Sequence, residues 1–473
     1  MPLITSISGI RGTIGGQPGE NLTPLDILRF SLAYGDFIKK THPNIKSKIV
    51  IGRDARISGE MISSLIIGAL TGLGLDIVNL GLSTTPSVEL AVVYFKAQGG
   101  IIITASHNPS GWNALKFLNA QGEFLSKEDG NEVLLIADKE DFEAVSEDNL
   151  GEVVFINSFK EEHIRLVSEM PLVDKNAIAN RNFKVVVDGI NSVGGLIIPN
   201  LLKVLGVSKI ITLNGDPNGK FAHKPEPLAE NLTEIMKIMK KEGADLGIVV
   251  DPDVDRLVFI DENGEMFGEE YTLVAVADYI LGNFEVIDKI NPGKYNLAAV
   301  SNLSSSRALR DVVKKYNGQY ESAAVGEVNV VDKMKEIKAV IGGEGNGGVI
   351  FPEAHYGRDA LVGVALFMSC LAKKGIKLSE LKKSLPLYFM VKDRIDLSAM
   401  VDVRGLLLKI KEKYSSEKIT DIDGIKIDYS DSWVHLRASN TEPIIRIYSE
   451  AKSISRAQEM VNEIKEKILA IIS

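Results

Sequence analysis

Three aspartates stand at alternate positions, Asp251, Asp253 and Asp255, in the run LGIVVDPDVDRLVFID. With Pro252 tightening the loop and an apolar strand-like run on either side, the carboxylates can converge on one small hard cation, which suits Mg²⁺ better than zinc. A solvated acidic turn is the alternative, yet carboxylates crowded at a strand end repel one another unless a cation joins them. An EF-hand shares the acidic spacing but fails on context, because Arg256 stands where that loop needs glycine and the flanks are strands. The second chemical candidate is IIITASHNPSGWNALKF, where Ser106 and His107 lie at the exit of a buried-type strand into a polar loop. A serine nucleophile needs proton transfer and charge neutralisation, and His107 and Lys116 are the nearby side chains able to supply them. Taken alone, Ser-His-Asn-Pro is an ordinary turn.

Two further runs offer recognition rather than reaction. In AVIGGEGNGGVIFPEAHYGRDAL, Gly343, Gly345 and Gly348 satisfy GxGxxG formally, but a strand-like VIFP follows where a dinucleotide site requires a helix. What remains is a glycine-rich loop whose hydrogen-bonding side chains, Glu344 and Asn346, suit sugar hydroxyls; a plain turn is the alternative. In WVHLRASNTEPIIRIYSEA, Arg437, Ser439, Asn440, Thr441 and Arg446 gather two guanidinium forks, hydroxyls and turn amides around one spot, which is phosphate-binding chemistry. A hairpin whose arginines pair with acidic neighbours reads the same way.

These residues must be positioned by strands and helices that alternate. From Lys48 to Leu118 apolar runs alternate with helical patterns, and the rhythm returns from FKVVVDG to ADLGIVVDPD and again from about Tyr271 to KAVIGGEG. Each unusual motif falls at a strand's carboxyl end, where ligands gather in open α/β sheets. The last hundred or so residues differ, with a helix near Val401–Tyr414, three strand-like runs (GIKIDY, SWVHLRAS, IIRIYSEA) and an amphipathic helix from Ile454, which predicts a small α+β domain. Composition loosens at Lys139–Gly151 and Lys373–Pro386, with a softer boundary at Asp261–Gly268.

At 473 residues the chain is long enough for several cores, and 45% hydrophobic with 25% charged residues is globular composition. A net charge of -9 argues against a general nucleic-acid or anionic-membrane binder. Cys370 is the single cysteine, so no intrachain disulfide can form, and no leader-like segment or long apolar run is present. These features predict a cytosolic enzyme.

In this order along the chain, TASHNPSGWNALKF, DPDVDR, GGEGNGG and RASNTEPIIR resemble the four signature segments of the α-D-phosphohexomutase superfamily, and the resemblance spans all 473 residues. It implies an α/β, four-domain, heart-shaped architecture: three related α/β domains with mixed sheets, then an α+β domain related to the TATA-box-binding-protein fold. With the breaks above, the domains are expected at residues 1–150, 151–262, 263–375 and 376–473. The resemblance implies Ser106 as a phosphoserine and Mg²⁺ held by Asp251, Asp253, Asp255 and a phosphoserine oxygen. Arg11 and Lys116 would flank the reacting phosphoryl group, Glu344 and Asn346 would contact the sugar, and Arg437, Ser439, Asn440, Thr441 and Arg446 would hold the nonreacting phosphate. Gly348 stands where some relatives carry a histidine, so proton transfer would fall to Lys116 or His107, with Arg358 as a charge stabiliser.

The implied reaction interconverts a hexose or hexosamine 6-phosphate and 1-phosphate through a 1,6-bisphosphate, with a hexose 1,6-bisphosphate as activator and a monomer or homodimer as the working form. The loop and the SGIRGTIGG start resemble the phosphoglucosamine mutase branch, with phosphomannomutase/phosphoglucomutase as the alternative. A metal-dependent sugar phosphatase would use the same aspartates with water as acceptor and need no bisphosphate. A catalytically idle carbohydrate-binding relative should lack the serine or a metal carboxylate, and both are present here.

Overall fold

The computed structural model describes every residue except Met1, Pro2, Ile7, Ser8, residues 398–401 and 439–443, and Ser473. The chain forms two compact units, one of residues 1–272 with 347–379 and one of residues 273–346 with 380–473.

The first unit opens with a seven-stranded mixed sheet in the order Ile4–Ser6, Gly9–Thr13, Trp112–Leu118, Gly99–Ile103, Lys48–Arg53, Asp76–Leu82, Val153–Phe155. The last four strands run parallel, whereas Trp112–Leu118 returns antiparallel to Gly99–Ile103 and the amino-terminal strand Gly9–Thr13 pairs antiparallel with it. Alternation along the central strands decides which helix covers which face. Ile49, Ile51, Ile101 and Ile103 join the core with Ile27 and Phe30 of the helix Pro24–Thr41 and Ile62 and Ile66 of the helix Gly59–Gly72. Val50 and Ile102 point the other way, onto Val88, Ala91 and Val92 of the helix Thr85–Tyr94. The helix Pro24–Thr41 lies outside the rhythm read from the sequence, although its start is fully signalled: Thr23 and Asp26 make a reciprocal capping box and Pro24 opens the first turn.

The same unit holds a four-stranded sheet in the order Leu257–Ile260, Leu246–Val250, Lys184–Asp188, Lys209–Leu213, of which only the first strand is antiparallel. DPDVDR is therefore the turn of a hairpin between two wholly buried strands. The helix Ala360–Lys374 packs here too, with Phe367 stacked on Phe259 at a centroid distance of 3.8 Å.

In the second unit the strands Gln319–Ala323, Asn296–Asn302 and Ala339–Glu344 lie parallel, packed by the helix Glu327–Ile337. A five-stranded antiparallel sheet follows, ordered Phe389–Asp396, Ile444–Ala451, Trp433–Ala438, Ile425–Asp428, Lys418–Thr420. The helices Val403–Lys413 and Ile454–Ile472 cover its apolar face. This is the α+β arrangement expected, with two strands more than the sequence pattern offered. FMVKDRID was not readable as a strand because charges occupy half of its positions, and its pairing with all eight residues of Ile444–Ala451 supplies what its pattern lacks.

Candidate active site

Ser106 lies just beyond the strand Gly99–Ile103, with φ at +47°, and Val254 in the aspartate turn sits at +63°. Non-glycine residues in this left-handed region carry strain of roughly 1–2 kcal/mol, and they persist where surroundings over-determine the backbone. Ser106 Oγ donates to Asp251 Oδ2 at 2.7 Å, and His107 Nδ1 lies 3.3 Å from the same hydroxyl. Asp251, Asp253 and Asp255 are wholly buried and offer one oxygen each within 4.8 Å of one another. Their outer atoms are tied off: Asp253 Oδ2 accepts from Lys116 Nζ at 2.8 Å and Thr85 Oγ1 at 2.7 Å, Asp255 Oδ2 from Arg358 at 2.6 Å, and Asp251 Oδ1 from the amides of Asp255 and Arg256. Asp253 Oδ1 and Asp255 Oδ1 are buried and accept no hydrogen bond. Two orphaned carboxylate oxygens in an all-oxygen cluster fit a hard divalent cation.

Charge follows this geometry. Burial, with Asp253 and Asp255 adding to it, pushes the Asp251 carboxyl well up. Burial also pushes Asp253 up, but the Lys116 ammonium and the hydrogen bonds from Lys116 and Thr85 hold it below the usual carboxylate range. Lys116 is the converse, raised because Asp253 and Asp255 outweigh its desolvation, so it stays an ammonium. Burial, with Arg256 beside it, pulls His107 down to about 2 and leaves a neutral imidazole. Arg11 sits on Gly9–Thr13 opposite Ala114, on the sheet face that also carries Lys116, and burial lowers its pKa.

Several residues here escaped the sequence reading. Behind Arg358, Asp359 caps the helix Ala360–Lys374 through the amides of Leu361 and Val362 and takes His163 at 2.8 Å and His355 at 3.1 Å. Burial opposes charge on His355, but Asp359 and Glu89 outweigh it and raise its pKa to about 10. Arg56, buried against Asp54 at 3.1 Å, reaches into the Ser106 loop. The DARIS run around it offered only a generic loop signal.

The second unit carries the recognition candidates. Glu344 ends its strand buried, accepting from Asn302 Nδ2 at 2.8 Å and from the Gly326 amide at 3.1 Å, and Asn346 follows in the loop. The glycines have more than one reason: a Cβ at Gly342 would meet Met334 Sδ at 2.2 Å, so that position is a packing requirement. The strand Gly348–Ile350 follows the loop, as the rejection of a dinucleotide site requires. Arg437 and Arg446 face each other directly across adjacent strands, and Arg394, unnoticed in the sequence, is the next residue in that row. Like charges directly opposite destabilise a sheet unless a counter-charge joins them. Arg437 Nε lies 2.9 Å from Asp423 Oδ2, which also accepts the Val325 amide. Ser439, Asn440 and Thr441 lie outside the described residues.

An α/β chain that sets a serine hydroxyl against a buried carboxylate triad and a lysine at strand ends has the build of a phosphotransfer enzyme. Models of the phosphoglucomutase/phosphomannomutase family match it almost throughout: alpha/beta/alpha domain I at residues 3–144, domain II at 161–264, domain III at 269–388 and the C-terminal domain at 389–467. The chain belongs to this family and is a phosphohexomutase, an isomerase. Similar proteins include a phosphoglucomutase/phosphomannomutase of Thermococcus kodakarensis, 38% identical over 95% of this chain and 96% of the relative. A phosphoglucosamine/phosphogalactosamine mutase of Sulfurisphaera tokodaii is 35% identical over 97% of each. The fold matches the crystal structure of a putative phosphomannomutase from Thermus thermophilus, with a TM-score of 0.80, 23% identity and 99% of each chain covered. Among the described residues no helix is long and apolar enough to cross a membrane.

Proposed function

We propose that the protein interconverts glucosamine 6-phosphate and 1-phosphate through a phosphorylated Ser106 and a 1,6-bisphosphate. The observation that carries the phosphoserine is the 2.7 Å hydrogen bond from Ser106 Oγ into the buried aspartate triad. Asp251, Asp253, Asp255 and Ser106 are the residues that would hold Mg²⁺, which when bound supplies charge neutralisation at the transferring phosphoryl oxygens. Transfer breaks the bond from Ser106 Oγ to phosphorus as the sugar hydroxyl oxygen bonds to it. The proton that leaves the sugar hydroxyl ends on the departing serine oxygen, and His107, neutral and with Nδ1 3.3 Å from Ser106 Oγ, would relay it by accepting at one ring nitrogen and donating from the other. Lys116 and Arg11 offset charge on the phosphoryl group, and Arg358 fixes Asp255. The bisphosphate then returns its other phosphoryl group to Ser106, which is why a hexose 1,6-bisphosphate serves as activator.

Recognition falls to Glu344 and Asn346 for the sugar and to Arg437, Ser439, Asn440, Thr441 and Arg446 for the nonreacting phosphate. A buried carboxylate at Glu344 favours a 2-ammonium sugar, and several relatives are named probable phosphoglucosamine mutases. Phosphomannomutase/phosphoglucomutase activity is the second reading, favoured by the name of the Thermococcus relative. We place the domains at residues 1–150, 151–262, 263–375 and 376–473, and the enzyme in the cytosol as a monomer or homodimer without nucleic-acid or membrane partners. Steady-state kinetics on glucosamine, glucose and mannose 6-phosphates, each with its 1,6-bisphosphate, test the assignment. The highest kcat/KM is expected for glucosamine 6-phosphate; a preference for glucose or mannose selects the second reading, and release of inorganic phosphate without any bisphosphate requirement contradicts both.

A further inference from the structure

We propose that Arg56 is a positioning residue for the nucleophile, holding the backbone of the Ser106 loop so that Oγ faces the aspartates. The proposal rests on Ser106 being the phosphoryl carrier. All five N–H donors of the guanidinium are used: Nε on Asp54 Oδ2 at 3.1 Å, Nη1 on the carbonyls of Pro109 at 2.7 Å and Trp112 at 2.9 Å, and Nη2 on those of Ser106 at 2.6 Å and Asn108 at 2.7 Å. Four of the five acceptors therefore belong to one segment, residues 106–112, and the arginine side chain has no exposed surface.

Loops at strand ends ordinarily turn their carbonyls to water. Here they converge on one rigid, planar group, and the Ser106 carbonyl is among them. Ser106 keeps its left-handed φ of +47° because both sides of the residue are held: Arg56 takes its carbonyl, and Thr104 Oγ1 accepts its amide at 3.0 Å. Thr104 Oγ1 in turn donates to Asp54 Oδ2 at 2.6 Å, and the Arg56 amide donates to Asp54 Oδ1 at 2.9 Å. Asp54, Arg56 and Thr104 thus make a closed frame behind the nucleophile while touching neither its hydroxyl nor the triad. A lysine at position 56 offers three donors from a single point and cannot serve five acceptors fixed in a plane. Phosphoryl transfer is sensitive to placement of the attacking or leaving oxygen, whereas sugar affinity is set by residues elsewhere.

The test is single-turnover transfer from phosphorylated enzyme to glucosamine 6-phosphate, normalised to phosphoserine content, alongside steady-state KM and thermal unfolding. Arg56→Lys is expected to lower the transfer rate by about 100-fold with KM changed by less than about threefold. A purely structural arginine would lower the yield or unfolding temperature and leave the normalised rate near wild type, which overturns the proposal. If Arg56→Lys does not fold, Thr104→Val decides: it removes one rung of the frame and is expected to cost about tenfold in transfer at unchanged KM, and an unchanged rate overturns the proposal. Wild-type protein inactive on every phosphosugar would instead contradict the assigned function, so the two failures are distinct.

Discussion

The candidate sites of the two units hold positive charge in different ways. In the first, Lys116 and Arg358 are already bonded to Asp253 and Asp255, and Arg56 has every donor occupied. In the second, Arg446 is exposed and stands between Arg394 and Arg437 with no alternation of sign along the row. Groups that stabilise charge during transfer act best when fixed beforehand, because no reorganisation is then needed at the moment of reaction. Groups that capture a ligand must exchange water for it at every turnover, so they stay at the surface. The comparison predicts that substitutions in the first unit strike the chemical step and those in the second strike binding.

The sharpest break would come from Ser106→Ala, which should lower mutase activity by at least about 10⁴-fold, the order expected when a covalent nucleophile is lost. Asp253→Asn removes a charged oxygen from the proposed Mg²⁺ site and the partner of Lys116. Two charge-assisted interactions at about 1.5–3 kcal/mol each give a loss of at least about 150-fold in kcat, with Mg²⁺ titration shifted to higher concentration. An unchanged magnesium dependence would return DPDVDR to a structural turn.

Arg437→Ala tests the other side of the comparison. It should cut kcat/KM by about 10- to 150-fold, while hydrolysis of phosphorylated Ser106 by water, which needs no grip on a distal phosphate, changes only a few-fold. A parallel fall in both would make Arg437 part of the scaffold, consistent with its contact to Asp423.

The smallest effect is on stability, and its sign differs between the units. His355 keeps its proton to about pH 10 when folded but to about 6.5 when unfolded, so its contribution is full below about 6.5 and is lost as pH rises through 10. Burial pulls Lys426 in the second unit down to about 8, against the pull of Asp428 and Glu450. Between about pH 8 and 10.4 the unfolded lysine therefore binds more protons, and stability rises with pH. Hydrogen exchange of core amides in each unit should show His355→Gln flattening a fall, and Lys426→Met flattening a rise, each of about 1 kcal/mol per pH unit.

Much of this site was legible because its residues are contiguous. Asp251, Asp253 and Asp255 declare themselves by spacing, and the strands around them are unbroken apolar runs. The same holds for Ser106 with His107. Arg56, Asp359 and His163 were not legible, since their partners lie far along the chain: His163 and Asp359 meet across 196 positions and Arg56 and Ser106 across 50. Arg394 was hidden because its significance is register, and pairing with Arg446 is a property of the folded sheet. The helix Pro24–Thr41 shows the remaining kind of miss, a segment whose caps were present but whose apolar stripe was passed over.

The most direct test is peptide mapping by mass spectrometry after incubating the protein with Mg²⁺ and glucosamine 1,6-bisphosphate. One phosphoryl group on the peptide containing Ser106, discharged on adding glucosamine 6-phosphate, is the predicted result. A phosphoryl group on another residue, or full turnover by an enzyme that never carries one, would contradict the account.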